Sequence, residues 1–350
     1  MPHFGWYYLT FLLPLSVIAG LESGGIAVWM TPIWVFAITP VLDYVFGEKT
    51  GNVLAESEAD RTLSFGYNFV LWAWPPVQLA ILYQVTLFVI APTSTMAEIV
   101  GATLSVGIMT GAIGITWAHE LCHRTKLFER VLAEILLTCV AYAHFSIEHV
   151  YGHHKNVATP RDPASARYGE GFYRFLPRTI IGSYRNAWII EKHQLAKKKL
   201  PFWHYRNRML RYGVVQILLL FGIYGFAGGV GIGFYLGQAI IAIILLELIN
   251  YLEHYGLQRQ ADKNGKYERV QPWHSWNSSH VVSNLYLINL ARHSDHHYNA
   301  SRRYQILRHF ENAPQLPLGY AALLIVALIP PLWFRLMNPR VQRWQEKYLL

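Results

Sequence analysis

The chain has 350 residues, of which 53% are hydrophobic and only 15% are charged. This composition excludes an ordinary soluble domain and is typical of an integral membrane protein. The two cysteines exclude a disulfide framework and are too few for an iron–sulfur cluster or a thiolate zinc site. The net charge of +9 does not indicate nucleic-acid binding. Basic residues gather at the ends of apolar segments, where membrane topology and anionic headgroups account for them.

Six apolar stretches are long enough to cross a bilayer, which requires about 20 residues per helix. In chain order they cover residues 6–21, 26–46, 67–91, 95–118, 209–227 and 230–252. Two further apolar stretches, 131–147 and 318–334, are expected to pack at the membrane interface or against the polar part of the chain. The sequence therefore predicts an all-α integral membrane protein with about six transmembrane helices.

The polar segments between and after these stretches are expected to form one histidine-rich lobe beneath the helices. The bundle would comprise about 6–118 and 209–252, and the lobe about 119–208 and 253–350. No linker, repeat or low-complexity tract divides the chain, so we expect residues 1–350 to form a single domain.

The distribution of basic residues predicts which way the helices run. With a cytoplasmic N-terminus, the outer loops are only 22–25, 92–94 and 228–229, and none of them contains Lys or Arg. Every basic residue then lies on or near the cytoplasmic side, as the positive-inside rule requires. The same topology brings all the clustered histidines to that side. We therefore expect the histidine-rich site to face the cytoplasm.

Nine of the sixteen histidines form four clusters, each where an apolar segment meets polar sequence. They are His119 and His123 in HELCHR, His149, His153 and His154 in EHVYGHH, His254 in NYLEHYG, and His293, His296 and His297 in RHSDHH. Helical spacing of three or four predicts that His119 and His123 share a face, as do His149 and His153, and His293 with His296 and His297. A single such histidine is as well explained by helix capping. Four clusters together indicate metal binding, since so many buried imidazoles would otherwise lack partners.

The number of histidines also bears on the number of ions. About four ligands saturate one ion, so nine imidazoles predict two ions. Nitrogen ligands suit iron, copper, zinc and nickel alike, and the ligand type alone does not decide among them. Four carboxylates adjoin the histidines, and we expect them to accept the second ring N–H of a ligand. They are Glu120, Glu148, Glu253 and Asp295.

These motifs give the chain a resemblance to the AlkB-type alkane 1-monooxygenases, within the membrane fatty-acid desaturase and hydroxylase superfamily. HELCHR matches the family's HE-x-x-H-R box, EHVYGHHKNVATPRDPASA its EH-x-x-GHH box, and RHSDHHYNASRRYQ its HSDHH box. NYLEHYGLQR matches the block that distinguishes alkane hydroxylases from desaturases. The match extends over nearly the whole chain.

The resemblance implies an enzyme of the bacterial inner membrane with two iron ions, for which the nine histidines are the ligands. Such an enzyme uses O₂ as co-substrate and inserts one oxygen atom into the terminal C–H bond of a medium-chain n-alkane, giving a 1-alkanol. Its electrons come from NADH through a reductase and rubredoxin. This chain has no rubredoxin CxxC pair. Rubredoxin would therefore be a separate protein or a domain outside these residues.

An alkane hydroxylase needs an apolar channel through the bundle to the metals. Residues above His119 on the same helix face, namely Ala112, Ile115 and Thr116, are candidates for its wall, and Trp29 and Phe36 for its end. Helix packing or lipid contact is the commoner role of such residues in membrane helices. Two other functions remain open: a desaturase or a fatty-acid or xylene-type hydroxylase of the same superfamily, and a metal transporter. A transporter is disfavoured because it needs ligands within the spans or at both faces.

Overall fold

The computed structural model describes residues 3–349, and within this range the chain is helical with no β-strand. Helix α1 comprises Phe4–Ser23 and α2 comprises Gly25–Phe46. A short helix α3, Ala55–Leu63, precedes α4, Phe65–Ile90, and α5, Met96–Cys122. Next come α6, Leu127–Thr138, α7 over residues 145–156, α8, Phe172–Lys197, and α9, Arg208–His254. After a long irregular segment come α10, Val281–Tyr286, α11, His293–Tyr298, α12, Tyr320–Ala327, and α13, Pro330–Leu349.

Five of these helices, α1, α2, α4, α5 and α9, are long and apolar enough to cross a membrane. The fifth, α9, has 47 residues, which at 1.5 Å per residue is about twice the thickness of a hydrocarbon core. It is broken at Gly228, whose φ of 59° and ψ of −155° are not helical. The two halves correspond to the predicted stretches 209–227 and 230–252. The prediction of an all-α membrane protein with about six spans is confirmed.

The two shorter apolar stretches form bent structures. Stretch 131–147 contains the end of α6, a series of turns, and the beginning of α7. Stretch 318–334 contains α12 and the start of α13, which meet at an angle of 118°. Tyr320, Leu323 and Leu324 of α12 pack into a buried apolar cluster with Tyr251 and Trp333. Stretch 318–334 thus packs against the end of α9 that carries His254.

Helix α5 is the most enclosed of the five, because 72% of its apolar 18-residue segment is buried inside the protein. It lies close against the second half of α9 because glycines face that helix. A Cβ added to Gly107 would lie 2.6 Å from Ile241 Cβ, and one added to Gly111 would lie 3.0 Å from Ala242 Cα. Small residues allow such close helix contact in membranes. The pair brings His119, near the end of α5, and His254, at the end of α9, to the same end of the bundle, where the two histidine groups lie.

The break at Gly228 generates a test of the fold. Its backbone dihedrals lie in a region that only glycine adopts readily, so we expect Gly228→Ala to destabilise the protein by about 1–3 kcal/mol. The neighbouring Gly229→Ala is the matched control, since Gly229 has no positive φ and an added Cβ would meet no atom within 4 Å. Thermal unfolding of the detergent-solubilised variants measures the difference. Equal midpoints for the two variants would contradict a required break at residue 228.

Candidate metal centre

Five histidines converge on one point beneath the helices. His119 and His123 come from the end of α5, His149 and His154 from α7, and His296 from α11, and their ligand nitrogens all lie within 4.8 Å of one another. The Nε2 atoms of His149 and His123 are 3.0 Å apart, as are those of His154 and His149. The Nε2 atom of His296 is likewise 3.0 Å from that of His154.

The other four histidines form a second group of the same kind. His153 of α7, His254 of α9, and His293 and His297 of α11 place their ligand nitrogens within 4.8 Å of one another. The Nε2 atoms of His297 and His293 are 2.9 Å apart, and those of His293 and His254 are 3.2 Å apart. The two groups are neighbours, since the ring centroids of His154 and His297 are separated by 4.5 Å. All nine predicted ligands are therefore brought together, divided five and four.

The donor set fits two metal ions. Two nitrogens that each lie about 2.1 Å from one ion, with an N–metal–N angle of about 90°, are about 3.0 Å apart. This distance matches the observed Nε2 separations. Burial lowers the pKa of His123 to about 3 and lowers the pKa values of His149, His154 and His296 well below the usual range. These rings are therefore uncharged and have a lone pair for a cation. Without a cation, nine such rings would crowd their nitrogens in a dry interior.

A π-helical turn in α7 determines to which group each of its three histidines belongs. Residues His149–His153 form a π-helical turn, in which backbone bonds run from residue i to i+5. His149 and His154, five residues apart, consequently point to the same group, and His153 points to the other. The prediction that His149 and His153 share a target is wrong, because it assumed ordinary helical spacing.

The histidines of α11 are divided in a similar way. His293 and His297, four residues apart, belong to the group of four, and His296 belongs to the group of five. The expectation that all three aim at one point is therefore corrected. On a helix, residues three and four apart lie on opposite sides of a line through the first residue. The helix lies between the two groups and supplies both.

Of the four predicted carboxylates, Glu253 is the one that lies within ion-pair distance of a predicted ligand. Its Oε2 atom is 3.1 Å from His293 Nε2, and its Oε1 atom accepts a hydrogen bond from the Tyr320 hydroxyl at 2.8 Å. Because the contact is to Nε2, Glu253 lies on the metal side of His293 and not behind the ring. Glu253 therefore lies next to the ligand nitrogens of the group of four.

The other three carboxylates bind other groups. Glu120 forms an ion pair with Arg124 at 2.8 Å, and Glu148 accepts from the Asn186 amide at 2.8 Å. Asp295 pairs with Arg302 at 3.2 Å and accepts the backbone N–H of Arg308. Residues adjacent in a helix point to different sides, which carries these carboxylates away from the imidazoles. They hold the surrounding chain segments together instead.

A carboxylate that sequence reasoning missed binds a ligand from behind. Asp162 Oδ2 lies 2.9 Å from His153 Nδ1 and also accepts the Ser165 hydroxyl at 2.6 Å. Burial acts to lower the pKa of His153, but the nearby carboxylates of Asp162, Glu148 and Glu253 together outweigh burial, so the pKa is raised. Asp162 belongs to the EHVYGHHKNVATPRDPASA segment, nine residues after His153, where helical spacing no longer applies. Its position in this matched segment was the available signal.

Two small apolar cavities lead from the bundle to the histidine groups. The inner one, of about 30 Å³, is lined by residues of both groups and by the bundle, including Ile115, Thr116, His119, Glu253 and His293. The next, of about 60 Å³, is lined by residues including Trp34, Ala112, Leu245 and Tyr286. The two share Ile249, Leu287 and Tyr320. Ala112, Ile115 and Thr116 thus lie on the walls of this path.

Trp29 and Phe36 lie elsewhere. The Trp29 ring packs on Gly101, where an added Cβ would be 2.8 Å from Trp29 Nε1. Phe36 packs against a buried apolar cluster, and neither residue lines the two cavities. Trp34, on the same helix as both, closes the far end of the path, and its Nε1 donates to the Tyr286 hydroxyl at 2.8 Å. Within residues 3–349, helices α2, α5 and α7 each contain a π-helical turn, and the turn in α2 begins at Trp34.

A helical membrane protein with two adjoining histidine groups beneath an apolar path belongs to a recognised class. Residues 93–326 match the fatty acid desaturase family, and the chain belongs to that family. Alkane 1-monooxygenase 1 of Pseudomonas aeruginosa is 41% identical, over 97% of this chain and 90% of that protein. Alkane 1-monooxygenase 2 of the same organism is 42% identical, over 92% and 86%.

A more distant relative has a different substrate in its name. The xylene/toluene monooxygenase hydroxylase component XylM of Pseudomonas putida is 28% identical, over 98% of this chain and 90% of that protein. Within the desaturase family, the chain accordingly belongs with the alkane 1-monooxygenases, which are oxidoreductases.

The Asp162–His153 contact predicts a selective effect on one metal group. Asp162→Asn should weaken metal binding by the group of four by about 10–100-fold, because the ring loses the carboxylate that orients it and makes it a better ligand. The group of five should be unaffected. Metal content during a chelator titration, measured by mass spectrometry, would then fall in two separate steps. Asp262→Asn, on an exposed turn, is the control. A variant that releases both ions together would contradict the assignment.

Proposed function

We propose that the protein hydroxylates the terminal carbon of medium-chain n-alkanes, giving 1-alkanols, with O₂ as co-substrate. The observation that supports this most directly is the convergence of nine imidazoles in two groups at the inner end of an apolar path. The relatives named alkane 1-monooxygenase point to the same substrate class. An assay with octane, O₂ and purified electron donors tests the proposal.

The proposed cofactor is a pair of iron ions, one in each histidine group. His119, His123, His149, His154 and His296 would hold one, and His153, His254, His293 and His297 the other. Bound there, iron supplies the capacity to activate O₂, which nitrogen ligands with open positions allow. The chain itself excludes bulk water from this region, since seven of these histidines are buried and only His123 and His154 are partly exposed.

The narrow path offers a physical reason for terminal selectivity. A methyl C–H bond is stronger than the methylene bonds beside it, so reactivity alone would favour internal positions. The two inner cavities are small and almost entirely apolar, and the inner one ends at His119 and His293. A chain that enters end-on would bring its last carbon into the near-contact distance that reaction requires, about 3 to 3.5 Å. We propose Ala112, Ile115 and Thr116 as wall residues of this channel.

Chain-length selection tests the channel. Trp34→Ala should remove the closure at the end of the path, joining it to the large outer cavity that Trp34 also lines, and so lengthen the longest alkane accepted. Ile115→Trp should fill the inner cavity and shorten it. Trp29→Ala is the matched control, because Trp29 does not line the path. Product profiles from alkanes of graded length, with iron content measured in parallel, give the result. A shift for Trp29→Ala equal to that for Trp34→Ala would contradict this channel.

We further propose that electrons come from NADH through a reductase and rubredoxin, which is separate or fused outside these residues. A cavity of about 460 Å³ reaches His123 from the surface, and its lining includes Arg124, Arg130 and Arg208. A second basic cavity shares Arg130 and Arg208 with it and adds Lys198, Arg206 and Arg211. The acidic residues lining the two cavities, Glu134 and Glu191, are already bonded to Tyr212 and Arg208 respectively. An acidic redox protein would find a positive surface beside a ligand of the group of five.

Electron delivery can be tested by charge reversal. Lys198→Glu and Arg206→Glu should lower the rate at subsaturating rubredoxin and weaken its dependence on salt, because both charges attract an acidic partner over long range. Lys263→Glu, on an exposed loop outside these cavities, is the control. Arg208 and Arg302 are less suitable, since they form ion pairs with Glu191 and Asp295. Rates that do not depend on salt would argue against electrostatic docking here.

The proposed location is the bacterial inner membrane, with a single domain of 350 residues whose histidine groups face the cytoplasm. The support is the charge distribution, which leaves loops 22–25, 92–94 and 228–229 without Lys or Arg. A desaturase acting on acyl chains, or a hydroxylase of fatty acids or xylene, uses the same kind of site. The greater identity to the alkane 1-monooxygenases favours the alkane reaction over the xylene one.

A further inference from the structure

An outer cavity of about 480 Å³ lies beside the path and is much larger than either inner cavity. Its apolar walls come from α1, α2 and α10, including Trp6, Leu9, Leu12, Leu42 and Leu285. Trp6 and Phe46 at its rim are 57% and 62% exposed, so the cavity opens onto the surface that the bilayer covers. Its volume falls in the range of about 300–1,000 Å³ typical of small-molecule sites.

One end of this cavity is polar and positively charged. The two charged residues that line it, Lys49 and Arg292, are both cations. Among residues 3–349, neither has a carboxylate within ion-pair distance. Asp295 attracts Arg292 from further away, but it forms its own ion pair with Arg302. An alkane has no polar or charged group that could bind to these cations.

The cationic end is built into the fold. The Arg292 guanidinium donates to the carbonyl oxygen of Lys49 at 2.8 Å and to that of Leu307 at 3.0 Å, and the side chain is only 3% exposed. The Lys49 backbone N–H donates to the Ser279 carbonyl at 2.9 Å, and its side chain is exposed. All these partners are neutral, so the charge of Arg292 is hydrogen-bonded but not balanced. A buried cation without a counter-charge favours a nearby anion.

The height of the cavity in the membrane identifies the anion. Lys49 follows Phe46, the last residue of α2, by three positions, which puts it at the headgroup level of the proposed cytoplasmic face. Anionic lipids are concentrated in that leaflet, and basic pockets between transmembrane helices bind their headgroups. The apolar walls run from this level into the bilayer between α1 and α2, as an acyl chain would.

From this combination we propose that the outer cavity binds an anionic phospholipid. The phosphate lies at Lys49 and Arg292, and one acyl chain runs along Leu9, Leu12 and Leu42 towards Trp34. The hydrogen-bonded Trp34 and Tyr286, which separate this cavity from the inner path, keep the lipid chain apart from the metal groups. The site does not depend on the proposed reaction.

Lipid retention tests the proposal. The full-length protein is reconstituted in nanodiscs with equal amounts of phosphatidylglycerol and phosphatidylcholine, released into detergent, and analysed by native mass spectrometry. We expect about one phosphatidylglycerol per chain to be retained in preference to phosphatidylcholine. Lys49→Gln should lower this retention about fivefold, and Leu42→Trp, which fills the cavity without changing charge, should lower it comparably. Lys263→Gln, an exposed lysine away from the cavity, should leave it unchanged.

Several outcomes would overturn the proposal. Equal retention of phosphatidylcholine would mean that the charges do not select a headgroup. Retention that Lys49→Gln or Leu42→Trp leaves unaltered would place the bound lipid elsewhere on the protein. Oleic acid, added in a parallel sample, should not displace the phospholipid at equal concentration. If it does, the occupant is a fatty acid and the phospholipid assignment is wrong. Unchanged metal content in the variants shows that they remain folded.

Discussion

The structure depends on bringing nine uncharged imidazoles to one place at the end of a membrane bundle. Each ring must leave water, and a buried polar nitrogen without a partner is costly. The two proposed metal ions would remove this cost, because each would accept four or five lone pairs at once. The requirement determines where the helices stop. Helix α5 ends beside His123 and α9 ends on His254, and α7 and α11 are short helices that present ligands and little else.

The same requirement accounts for the irregular helices. A regular α-helix repeats every 3.6 residues and would send His149 and His153 to one ion. The π turn over His149–His153 changes that repeat, so one helix contributes histidines to both groups. A second π turn, Thr110–Ile115, lies directly before the segment that carries His119 and lines the apolar path with Ile115. These distortions are located at the metal groups and along the path, which agrees with the general association of π turns with function.

Sequence reasoning was most successful where a local pattern carried the information. Apolar run length predicted the spans, with the break at Gly228 falling between two predicted stretches, and histidine clustering predicted all nine converging residues. It failed where the backbone departs from regular spacing. The division of ligands into five and four depends on the π turn. Asp162 reaches His153 through a loop, and the contacts of Trp34 with Tyr286 join residues 252 positions apart. No local pattern encodes these contacts.

The roles proposed for the histidines and the channel all depend on one reaction, in which two metal ions under a narrow apolar path oxidise the end of an alkane. Turnover of octane under ¹⁸O₂, with purified reductase and rubredoxin, tests it most directly. The product should be 1-octanol that carries one ¹⁸O atom, from protein that holds two iron ions per chain. Octene or mainly secondary octanols as products, or 1-octanol without the label, would contradict the proposed reaction and the end-on path together.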